Sequence, residues 1–128
     1  MDQDTELFVQ AFWVKVREVI RPEIDFAVSA LRKAGHEANV STQEYSPIPD
    51  RLPAHVGPSV TLSARPPGAS DGIAHPAIEF HGDVKKQTVE VRTPAGKAKS
   101  YELAALESRE VKTELDGWMA KLTTASPA

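Results

Sequence analysis

At Gly35 the spacing of apolar residues changes from three and four to two, and that switch constrains the fold more than any other feature of the chain. Before it, Leu7, Phe8, Ala11, Phe12, Val16, Val19, Ile20, Ala27, Ala30, Leu31 and Ala34 recur at the helical period. Asp2, Asp4 and Glu6 at the start and Arg32 and Lys33 at the end both suit the helix dipole. Gly35 then stands where a left-handed cap is wanted. Pro22 interrupts the pattern, because it lacks an N–H and its ring crowds the carbonyl of Glu18. Two helical segments follow, about 4–20 and 22–34, read as one kinked rod because Phe12, Val16, Val19, Phe26 and Ala30 continue one stripe.

After Gly35 four segments alternate. Ala38, Val40 and Thr42 share one side of His36 to Glu44, and Val60, Leu62 and Ala64 share one side of Ser59 to Arg65. Ile78 and Phe80 do so within His75 to His81, as do Val89 and Val91 within Thr88 to Arg92. Period two with one apolar face describes half-buried strands. Four in succession with no helix between them describe an antiparallel meander, and Lys99 to Leu103 offers a short fifth strand. The proline-rich stretches Tyr45 to Pro58 and Arg65 to Pro76 read as irregular loops. Ser108 caps a last helix, on which Val111, Leu115, Trp118, Met119 and Leu122 form a stripe. The expectation is a two-layer α+β domain over 1–122, with a long N-terminal helix, a four- to five-stranded antiparallel meander, a C-terminal helix, and a disordered tail at 123–128.

Several function classes fall away. Cysteine is absent, which removes disulfides, thiolate metal sites and cysteine nucleophiles. No apolar run approaches the roughly 20 residues of a membrane span, and the acidic N-terminus is unlike an export signal, so a cytoplasmic protein without a membrane role is expected. A net charge of −3 supplies no global field for nucleic acid. No phosphate loop, dinucleotide glycine pattern or Gly-x-Ser-x-Gly elbow is present.

The chemistry on offer sits at His75, Glu79, His81 and Asp83, which counting by twos puts on one strand face. Imidazole and carboxylate ligate zinc, and a His/carboxylate pair moves protons, so His75, Glu79 and His81 form a candidate metal or acid/base site. One strand alone spaces its ligands about 6.5–7 Å apart, so His36, His55 or another carboxylate would have to join it. The competing reading is a solvated sheet face, in which one register sets Glu79 opposite Arg92 and His81 opposite Glu90. Lys85, Lys86, Arg92, Lys97 and Lys99 make a basic hairpin over 85–99 that suits either weak nucleic-acid contact or protection of sheet edges.

On the first helix, Trp13, Ile20 and Ile24 form a second apolar line, about 100° round from Phe12. A helix apolar on two sides is covered on two sides. The leading expectation is therefore a non-enzymatic binding or assembly module, homodimeric through this helix or bound to a protein partner by it, and needing no cofactor. A small metal-dependent or acid/base enzyme on the His75 strand comes second, and the nucleic-acid contact third.

Overall fold

The computed structural model describes residues 3–47, 55–65, 76–93 and 98–124. Helix α1 (Gln3–Lys15) runs through a π-turn (Val16–Ile20) into α2 (Arg21–Lys33) without a break. Strands β1 (Glu37–Gln43), β4 (Ser59–Arg65), β5 (Ala77–Asp83), β6 (Thr88–Arg92) and β7 (Lys99–Glu102) form one antiparallel sheet in that spatial order. A 3₁₀ turn (Leu103–Ala105) leads to α3 (Ser108–Thr124). The fold is α+β, as the two periods imply. The loop after β1 is less irregular than its prolines suggest, since β2 (Ser46–Pro47) and β3 (His55–Val56) pair within it.

Gly35 has φ 91°, which only a residue without Cβ adopts freely, and it turns α2 into β1. The helices cover the apolar sheet face, and Phe12, Ile20, Ile24, Leu62, Ile78, Phe80 and Val111 are fully buried between the layers, with Trp118 close behind. Val40 is only half-buried, at the sheet margin.

The π-turn corrects the helical reading. The core stripe is Phe8, Phe12, Val16, Ile20, Ile24, Ala27 and Leu31, almost all at spacings of four. In an uninterrupted α-helix the 16 residues from Phe8 to Ile24, at about 100° each, leave Ile24 about 160° round from Phe8. The wide turn holds one residue more than an α-turn, takes about 100° off that drift, and keeps both residues on the core side. Ile20 and Ile24 are thus 0% exposed, while Phe26, assigned to the core stripe on regular periodicity, is 74% exposed. Pro22 explains the position of the turn. Its ring would strike the Glu18 carbonyl in a regular ladder, and the Arg21 N–H instead donates five residues back to the Val16 carbonyl.

Helix α3 runs to Thr124, two residues into the stretch expected to be a tail. Residues 125–128, His75 and Lys97 lie outside the described residues, as do the side chains of His55 and Leu122.

Candidate functional site

Among the described residues, two surfaces gather polar or exposed apolar side chains. The first is the sheet face turned away from the helices. Its register sets Ser41, Thr61, Glu79 and Arg92 in one cross-strand row, and Gln43, Ser59, His81, Glu90 and Ser100 in the next. Glu79 is opposite Arg92 and His81 opposite Glu90, the pairing expected of a solvated sheet face. His81 Nδ1 stands 3.7 Å from Glu79 Oε2, and Arg92 Nη1 stands 3.7 Å from Glu79 Oε1. Arg92 Nε donates to Glu90 Oε1 at 2.7 Å. The His81 imidazole is the main influence holding the Glu79 carboxyl below its ordinary 4.5; the Arg92 charge and the Ser59 hydroxyl add to it, against partial burial.

That direction bears on mechanism. A carboxylate serving as general acid or base near neutrality needs its pKa raised toward the working pH, and Glu79 moves the other way. The imidazole is also confined. A Cβ added to Gly57 would lie 3.0 Å from His81 Nε2, so the Gly57 backbone lies close to that nitrogen. The same Cβ would collide with the Gly82 carbonyl oxygen, and the Gly82 N–H donates to the Pro58 carbonyl at 2.7 Å. Glycine at 57 is what lets the segment before β4 run this close to β5.

Glu79 and His81 are therefore brought together, with Ser59, Arg92 and Glu90 completing the cluster. Alternation alone does not bring Ser59 to the cluster; its place opposite His81 follows only from the β4–β5 register. His36 stays apart. Its backbone N–H donates to the Leu31 carbonyl at 2.9 Å, and its Nδ1 is buried with no partner among the described residues. No group of three or more His, Asp or Glu side chains among the described residues is placed to hold a metal ion. The basic hairpin divides: Lys85 and Lys86 lie in the β5–β6 turn, Arg92 points to the polar face, and Lys99 faces the helices. There Glu114 of α3 accepts from Lys99 Nζ at 3.2 Å and from the Tyr101 hydroxyl at 3.1 Å.

The second surface is a groove of ≈ 390 Å³ between α2 and α3, walled by Phe26, Ala30, Leu115 and Met119. Glu23 stands on its α2 rim, and Lys112 and Asp116, joined at 2.8 Å, stand on its α3 rim. Trp13, Ile20 and Ile24 do not form an outward line: the two isoleucines are core, and Trp13 is half-buried against it, edge-on to Phe12 with centroids 5.2 Å apart. Among the described residues, no helix is long and apolar enough to cross a membrane. No family model, curated protein or solved structure matches the chain.

Proposed function

We propose that this chain is a non-enzymatic assembly module, and that two copies pair through the outer face of the helical layer around Phe26. The observation that carries the reading is Phe26 itself, a phenylalanine 74% exposed beside an apolar groove. An aromatic side chain left in water forgoes on the order of 1.5–3 kcal/mol of burial, and apolar clusters with polar rims are where proteins meet. The occupant follows from the rims. In a two-fold pairing across the groove, Glu23 of one copy would face the Lys112–Asp116 rim of the other, and each Phe26 would enter the facing groove. The polar sheet face supports the same reading, because Glu79 and Glu90 are occupied by Arg92, and Glu79 also by His81.

Sedimentation equilibrium tests this. The wild-type chain is expected to run as a dimer at micromolar concentration, and Phe26→Glu as a monomer with an unchanged circular dichroism spectrum. A wild-type chain that stays monomeric throughout, or a Phe26→Glu variant that still dimerises, would end the proposal.

A further inference from the structure

Another outward-facing feature is the sheet edge at β1, which pairs with no further strand on its outer side among the described residues. Ala64 N–H donates to the Pro76 carbonyl and Gly82 N–H to the Pro58 carbonyl, so the even-numbered residues of β4 bond toward β5. The odd-numbered ones therefore bond toward β1, through Glu37, Asn39, Ser41 and Gln43. Ala38, Val40 and Thr42 are left with N–H and C=O directed away from the sheet. The Ala38 carbonyl is taken by Arg32 Nη2 of α2, at 3.2 Å. The Ala38 N–H and both backbone groups of Val40 and Thr42 have no hydrogen-bond partner among the described residues.

Edges of this kind are ordinarily blunted by lysine, proline, a bulge or brevity. The far edge is: β7 has four residues and carries Lys99. In contrast, β1 pairs over seven consecutive residues without a bulge and contains neither lysine nor proline. Its helix-side margin is apolar, with Val40 and Val28 half-buried against the core. Its only charge is Glu37 at one end, 73% exposed although Arg65 Nη1 of β4 stands 4.0 Å from its carboxylate, with Glu44 just beyond the other end.

We propose that β1 accepts an extended segment of a partner protein as a sixth, antiparallel strand. The segment carries β-branched residues at alternate positions toward the helices, polar residues on the other side, and a basic residue opposite Glu37. Main-chain bonds to Val40 and Thr42 supply the affinity, and alternation with the end charge supplies the selectivity. The site lies apart from the Phe26 groove and does not depend on pairing of two copies.

The test uses the full chain, labelled with ¹⁵N, and the amidated peptide Thr-Val-Thr-Val-Thr-Val-Lys, which places valines opposite residues 42, 40 and 38 and lysine opposite Glu37. Saturable amide shifts and slowed exchange centred on Val40 and Thr42 are expected. Thr42→Pro removes one outward N–H on an exposed edge residue, keeps the fold by circular dichroism, and should weaken binding about tenfold. The monomeric Phe26→Glu variant should bind the peptide as wild type does, which separates this proposal from the dimer. It is overturned if excess peptide gives no shifts, if the shifts fall on β7 or the helices, or if Thr42→Pro binds equally well. A change in the chain's own oligomeric state on Thr42→Pro would equally overturn it, by showing that a second copy occupies the edge.

Discussion

The π-turn does two things at once, and a deletion separates them. Removing the exposed Glu18 leaves 15 residues between Phe8 and Ile24, which at about 100° each puts Ile24 about 60° from Phe8 in a plain α-helix, the same offset that the wide turn achieves. The core stripe survives the deletion. The proline does not fit as well, because Pro22 then sits in a regular ladder against the carbonyl of Arg17, and interior proline costs about 3 kcal/mol. The lost Arg17–Glu18 contact, 3.8 Å long and well exposed, contributes close to nothing. With a urea slope of about 2 kcal/mol/M, the midpoint of the deletion variant should fall by about 1.5 M. Adding Pro22→Ala should return it to near the wild-type midpoint, whereas Pro22→Ala alone, with the wide turn present, should move it little. The coupling between the two changes should thus approach 3 kcal/mol, far outside additivity. Urea titrations of the four chains, followed by far-ultraviolet circular dichroism, measure it. A coupling under about 0.5 kcal/mol would refute the reasoning, since the wide turn would then owe nothing to the proline.

Two titrations test the electrostatics of the sheet. Glu79 has its carboxyl lowered by His81, so its contribution to stability is complete above about 4.5 and is lost as pH falls through the lower folded value. Glu79→Gln should flatten that acid limb of the urea midpoint against pH, and an unchanged limb would contradict the assignment. Tyr101 has its hydroxyl pushed above 10.0, first by burial and then by Glu114, so it contributes stability below 10.0 that is lost as pH rises through the folded value. In a Tyr45→Phe background, Glu114→Gln should move the phenolate absorbance transition downward; no movement would remove Glu114 as a cause.

The sheet was legible because a strand repeats every two residues, a whole number that accumulates no phase error. Alternation from Ser59 to Arg65 and from Thr88 to Arg92 assigns each side chain its face, and β4 and β6 occupy those same residues. The opposition of Glu79 to Arg92 and His81 to Glu90 was legible for a related reason: the short turn after Asp83 leaves few registers, and only some of them pair opposite charges. What the strand pattern did not hold was how closely the residues just before β4 approach β5. Nothing in the alternation announces that Gly57 lies this close to His81 and Gly82, because the only signal at Gly57 is the lack of a side chain.

The first helix was legible as a helix and illegible as a surface, for the opposite arithmetical reason. Its repeat of 3.6 is not a whole number, so a face assignment carried over six turns depends on every turn being α. One extra residue at Val16–Ile20 rotates everything after it by about 100°. That single rotation moves Ile20 and Ile24 from an outward line into the core and moves Phe26 from the core to the groove beside α3. The count of apolar residues still indicated that the helix had more than one side to cover. Which side chain is left uncovered depends on the proline, and Pro22 was the one residue in the pattern that marked where the phase would break. Assigning the face separately on each side of a proline, and matching the two halves by their own burial, recovers the stripe Phe8, Phe12, Val16 before it and Ile24, Ala27, Leu31 after it. The surplus then falls on Phe26, the side chain on which the proposed pairing of two copies rests.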